Sequence, residues 1–471
     1  MATPDAIPHR RRHRWGYVLA FLVALALVAV PLVYGRLFPQ PTKYEDDLAH
    51  FQFASVGVEP ATGVPLLVWQ ALPGLCMPLE QRALGYRRFG FQWAPGRATP
   101  IGMPVETAIV PRVGINCALC HVGRVETTAG SRLVPGAPNT SLDLQGYLRF
   151  LYGCVGSPAF TPERVLAEGE RLGYRLSSIE TLAYRRLIIP QVKQAVAGQA
   201  RQLGFMNAQP DWGPGRTTGF QAAKVQVLKR PFDGTLDIVD IPALWNLKAR
   251  AGGYWHWDGA NSSLHEVFLN SGIGNGASGR TIQIGNLDRM QRWAEALPPA
   301  PYPGSVDRML ADKGKAVFEG ACAECHAPGG AKVNQVIPIG WVGTDRARLD
   351  ALTPETVEGF KALTYKKWRY THFRKTNGYV ATTLDGVWAR APYLHNGSVP
   401  TLAALLRPPG ERPVEFRRGS PRYDLERVGF ESGVGRPYDT RLAGNGNGGH
   451  PWGTDLPREQ KRALLEYLKT L

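Results

Sequence analysis

The sequence predicts a mainly α-helical protein with long ordered loops, built as two successive domains behind one N-terminal transmembrane helix. Three observations carry this. An uncharged apolar run fills residues 15–34, two C-x-x-C-H motifs begin at Cys117 and Cys322, and a Pro-rich break at 298–304 falls between the motifs. A chain of 471 residues, 44% hydrophobic and 20% charged, is long enough for each domain to bury its own core. The expected division is a cytoplasmic N-terminus over 1–14, an anchor over 15–34 and a linker with an extension over 35–96. The first domain then covers 97–305 and the second 306–471.

The apolar run is expected to cross a membrane, because at ~1.5 Å rise per residue it spans the roughly 30 Å hydrocarbon core. Arg10, Arg11, Arg12 and Arg14 precede it and would hold the N-terminus in the cytoplasm. This places the chain at the inner membrane with its soluble part in the periplasm. The alternative is a cleaved signal peptide. Ala24-Leu25-Ala26 offers a small-residue site, but it lies mid-run and would leave an apolar new N-terminus.

Helices are expected over 161–171, where Thr161 is an N-cap and Pro162 takes the first helical position, and over 179–189, where Pro190 stops or kinks the chain. After the Pro-rich break, 307–320 reads as a helix. So does 457–471, with Ala463, Leu464, Tyr467, Leu468 and Leu471 on one face. Strand signals are sparse. Turn signals, such as Asn377-Gly378 and the Gly-rich run ending at Gly449, are many.

Cys117-Ala118-Leu119-Cys120-His121 and Cys322-Ala323-Glu324-Cys325-His326 carry the chemistry. In C-x-x-C-H, two thiols bond covalently to one haem and the adjacent imidazole coordinates its iron. C-x-x-C also serves redox dithiols and zinc sites, but the His after each pair favours haem. The cofactors expected are therefore two covalently bound haem c groups. Cys76 and Cys154 remain, either as a disulfide or as two buried thiols. The net charge of +16 comes with no nucleic-acid-binding motif. Nucleic acid is excluded as a partner, and the basic residues read as a solvated surface that also balances haem propionates.

Axial ligation separates electron relay from reaction at iron. No Met follows His326, so candidate second ligands there are His450, on the Gly-rich loop, then His395 and His372. Around the first motif Met206, His256 and His265 are available but unmarked. The first iron is therefore read as open and reactive, with His121 as the catalytic candidate. Trp245, Trp255 and Trp257 cluster with Tyr254 and His256 and are candidate electron relays, with packing around haem as the plainer reading.

Two such domains resemble the bacterial di-haem cytochrome c peroxidase superfamily, which includes methylamine-utilisation di-haem enzymes and di-haem rubber oxygenases. Gly314-Lys315-Ala316-Val317-Phe318 and the 457–471 helix resemble the first and last helices of a class I cytochrome c. Ala391-Pro392-Tyr393-Leu394-His395-Asn396-Gly397-Ser398 is similar to a superfamily signature. Gly114-Ile115-Asn116, Trp212-Gly213-Pro214-Gly215-Arg216, Ile241-Pro242-Ala243-Leu244-Trp245 and the Gly448 to Thr454 stretch are closest to the rubber-oxygenase-like branch. The resemblance implies two class I cytochrome c-like haem domains, a bis-histidine second haem, and a first haem that takes the oxidant. The expected function is a membrane-anchored di-haem oxidoreductase that acts on peroxide or O2 and exchanges electrons with a periplasmic redox protein. A non-catalytic electron carrier and a haem-based gas sensor are the alternatives.

Overall fold

The computed structural model describes residues 17–21, 23, 42–107, 109–365 and 368–471. Most of the run over 15–34 lies outside them. Among the described residues no helix is long and apolar enough to cross a membrane. The most apolar helix with a described core role, Leu66–Cys76, has 11 residues and turns Leu67, Val68, Trp69, Ala71 and Leu72 inward. A spanning helix needs about 20 apolar residues. The expected transmembrane helix falls mostly outside the described residues, and no described helix supports the inner-membrane anchoring that rested on it.

Nor is the fold a mainly α pair of like domains. Helices hold 42% of the chain and strands 13%. The strands are short and antiparallel, in one three-stranded and six two-stranded sheets among the described residues. Strands of two to six residues leave almost no alternating pattern to read, which is why the sequence hid them. The surroundings of the two motifs also differ. Helix Arg308–Ala321 runs straight into Cys322, as in a class I cytochrome, whereas a strand, Pro111–Val113, precedes Cys117. The first motif is then followed by a hairpin, Val122–Thr127 against Gly130–Pro135.

Local sequence explains most helix starts. Thr161 accepts from the Arg164 amide and Pro162 opens helix Pro162–Arg171. Asp307 accepts from the Leu310 amide at 3.0 Å and starts Arg308–Ala321. Pro190 does not end its helix. The chain passes through a π-turn at Tyr184–Ile188 and continues as Ile189–Gln202, with Pro190 in its first turn, where the missing amide costs little.

Three apolar clusters set the frame. One joins helices Leu66–Cys76, Leu144–Gly156 and Pro162–Arg171, with Trp69 stacked on Tyr86 at 4.0 Å. The Cys76–Cys154 disulfide closes across it, with Cα atoms 5.6 Å apart. A second holds Cys117 and Ala118 among Phe51, Leu247, Trp255 and Met290. The third crosses the Pro-rich break, packing Val125, Val134 and Trp245 against Phe318, Trp388 and Leu464. Within it helix Arg308–Ala321 crosses helix Arg458–Leu468. A Cβ on Gly314 would stand 1.9 Å from the Ala463 carbonyl oxygen, so only glycine permits the approach.

Candidate functional site

The first motif sits on a short 3-10 turn, Cys117–Leu119. Asn116 caps it, accepting from the Ala118 amide at 2.9 Å while its own amide group donates to the Phe51 and Ala54 carbonyls. The second motif continues helix Arg308–Ala321 into the turn Ala323–His326. In both, the amide of the His donates to the carbonyl of the first Cys, at 3.1 Å for His121 and 3.0 Å for His326. Two thiols and one imidazole therefore share one face of a single turn, as attachment to one porphyrin demands. Burial pushes the Cys117 and Cys120 thiols up to about 12 and Cys322 up to about 11. A redox dithiol needs the opposite shift.

Both histidines are oriented in the same way. The His121 Nδ1–H donates to the Pro242 carbonyl at 2.9 Å, and the His326 Nδ1–H donates to the Thr382 carbonyl at 2.6 Å. Each Nε2 is left to face outward as a ligand atom, fixed in tautomer by a backbone acceptor. Burial pulls His121 down to about 4, with the Pro242 bond opposing, and lowers His326 as well. The neutral rings are in the form a metal requires.

His450 faces His326. Their ring centroids are 6.2 Å apart and the planes inclined by 35°. Two bonds of about 2 Å from one metal to opposed imidazole nitrogens would set ring centroids roughly 6.3 Å apart. The residues present thus fit a haem iron between them. Burial takes His450 down to about 4, and its Nδ1 is buried without a partner. Among the described residues no imidazole faces His121 in this manner.

The other candidates lie elsewhere. The His395 Nε2 is 2.9 Å from the Tyr379 hydroxyl and its ring stacks on Tyr379 at 4.0 Å. Since Tyr379 donates its one proton to the Asp345 carbonyl, His395 is the donor in that bond. His372 bonds Glu266 through Nδ1 at 2.8 Å, and His265 pairs with Asp288 at 3.1 Å. Met206 is packed among Leu203, Phe205 and Trp212. His256 has a left-handed backbone, φ 64°, and a buried Nε2 without a partner.

The tryptophans divide between the centres. Trp255 packs in the cluster that holds Cys117, and Trp257 in the one that reaches Cys325. The Trp257 indole donates to the Asp240 carbonyl at 2.9 Å, two residues before Pro242. Trp245 donates to the Asp385 carbonyl at 2.6 Å, three residues after Thr382. Arg390 holds that same 382–385 stretch, donating to Thr383 and Asp385 carbonyls. Sequence reasoning missed Pro242, Thr382, Asp385 and Arg390. Three act through backbone oxygens, which every residue possesses, and nothing in the sequence marked the fourth.

The segment 378–417 matches a family described as RoxA-like, cytochrome c-like. It contains the Thr382 and Asp385 acceptors and Arg390. The chain is 30% identical to an uncharacterised protein, y4iM, of Sinorhizobium fredii, over 56% of this chain and 71% of the relative. A second uncharacterised protein of the same organism, y4iJ, is 24% identical over 82% of each chain. The RoxA-like segment implies covalently bound haem c, iron binding and electron transfer. The chain belongs to the family of y4iM and is a haem-binding protein of the oxidoreductase type.

Proposed function

We propose that the chain is a di-haem c-type oxidoreductase with unequal centres, akin to the di-haem peroxidases and rubber oxygenases. Cys117, Cys120 and His121 would hold the first haem, and Cys322, Cys325, His326 and His450 the second. The observation that carries this reading is the facing pair His326–His450 at 6.2 Å, which His121 lacks among the described residues. Haem bound at the first centre would supply an iron with a free position for peroxide or O2, and at the second a six-coordinate electron store.

The protein's own groups serve that division. The Pro242 and Thr382 carbonyls hold the Nδ1 protons and aim each Nε2. Trp245 joins the two sides. Its indole bonds Asp385 beside the acceptor of His326, while its backbone lies three residues from the acceptor of His121. Trp257 makes a second bridge through Asp240. These indoles give electrons a bonded route between the centres without solvent.

The test is an optical and EPR spectrum of the oxidised protein, before and after cyanide and peroxide, and of the reduced protein with CO. One low-spin haem plus one high-spin haem that binds these ligands is expected. Two low-spin haems indifferent to all of them would make the protein an electron carrier instead.

A further inference from the structure

His450 is held unlike the other two site histidines. Among the described residues its Nδ1 has no acceptor and no hydrogen bond to its ring is made. Its backbone is left-handed, φ 46°, a conformation disfavoured for a non-glycine residue. It follows a run with four glycines, Ala443-Gly444-Asn445-Gly446-Asn447-Gly448-Gly449, which has little stiffness of its own. Some other group must place it.

Arg412 is that group by geometry. The residue is 2% exposed. Its Nη1 donates to the carbonyls of Asn447 at 2.7 Å and Gly449 at 2.8 Å, and its Nη2 to those of His450 at 3.0 Å and Leu405 at 3.1 Å. Three of the four acceptors belong to the loop that presents His450, and the fourth ties that loop to helix Leu402–Leu405. Among the described residues the guanidinium has no carboxylate partner. A buried cation satisfied by backbone oxygens alone is costly to keep, and its planar fork is what lets it gather several carbonyls at once. Other ties act on the same loop: the His450 amide to the Val342 carbonyl at 2.6 Å, Asn447 Nδ2 to the Pro413 carbonyl at 2.9 Å, and, further from His450, Asn396 Nδ2 to the Gly444 and Gly446 carbonyls at 3.2 and 2.9 Å and the Gly446 amide to Asp345 at 3.2 Å.

We infer that Arg412 is the positioning residue for His450, setting the backbone of a ligand whose ring is otherwise unanchored. The inference rests on the reading that His450 ligates the second haem. Loss of an outer group that orients a ligand typically costs about 10- to 100-fold in metal affinity.

The experiment compares full-length, haem-loaded wild type, Arg412→Lys, Arg412→Gln and His450→Ala by EPR, CO binding to the reduced protein and thermal melting. Expected are folded Arg412 variants in which the second haem loses its low-spin signal and takes up CO. Added imidazole should restore the low-spin form. Arg412→Lys keeps the charge but not the fork, so it should fail as Arg412→Gln does. If both variants keep the wild-type spectrum while His450→Ala loses it, the inference is overturned. If both lose the spectrum only together with the fold, Arg412 is merely structural, and the inference is equally overturned. If His450→Ala leaves the second haem unchanged, the ligand reading itself fails, a result the Arg412 variants cannot mimic.

Discussion

Trp245 and Asp385 meet across the Pro-rich break: the indole N–H of one donates to the backbone oxygen of the other at 2.6 Å. Asp385 also accepts Asn246 through its carboxylate at 2.7 Å, so two consecutive residues of the first half are pinned to one residue of the second. Replacing Trp245→Phe keeps most of the packing and removes the N–H. A loss of about 1 kcal/mol is expected, since Arg390 still donates to the freed carbonyl. Electron transfer between the centres should slow, measured by flash reduction of one haem. An unchanged rate would remove Trp245 from the route.

If His326 and His450 share one haem iron as proposed, the 35° inclination of their planes would give that haem a spectroscopic signature. Near-parallel imidazoles produce a rhombic low-spin EPR signal, whereas perpendicular ones produce a strongly axial one. A rhombic signal is expected here, and it should vanish in His450→Ala. An axial signal would mean that the rings meet the iron in another orientation.

Glu59 should make stability fall as pH rises. Burial lifts its carboxyl from 4.5 to about 7, opposed by the hydrogen bond from Ser55 and reinforced by Glu106 nearby. The folded state therefore holds a proton that the unfolded chain gives up. The contribution is full below about 4.5 and is lost as pH rises through about 7, a span worth roughly 3 kcal/mol. Glu59→Gln should flatten this part of a melting-temperature profile between pH 4 and pH 8 (about the window set by those two values). A profile identical to wild type would contradict the assignment. The carboxyl packs on Gly114, close ahead of the first motif, so the effect is local to that centre's support.

The Cys76–Cys154 bridge spans 78 residues of sequence and links two helices of the first cluster. Changing both to Ser should cost about 2–5 kcal/mol in urea denaturation. The haem spectra should be untouched, because neither cysteine lies in a C-x-x-C-H motif. A spectral change would show that this cluster shapes the first haem pocket directly.

What the sequence made legible was whatever needs a particular side chain. The C-x-x-C-H spacing marks Cys117, Cys120, Cys322 and Cys325. Helix starts demand Thr161 and Asp307. His450 stood out because no Met follows His326, and the structure sets the two ring centroids 6.2 Å apart. What stayed hidden works through the backbone or through distance in sequence. Pro242 and Thr382 orient the site histidines with carbonyl oxygens, and no residue type marks an acceptor of that kind. Arg412 shows nothing until the loop it holds has folded. The apolar run at 15–34 lies mostly outside the described residues, and no described helix answers to its membrane-like composition.

The close crossing at Gly314 also sets an order of assembly. The helix leading into Cys322 buries Phe318 against Tyr467, a partner made much later in synthesis. Until residues 458–468 arrive, that helix has an uncovered apolar side and the thiols behind it stay on an open chain. Pairing of segments so distant in sequence is slow. The delay would keep Cys322, Cys325 and His326 on an open chain, accessible from solvent, until the late helix docks.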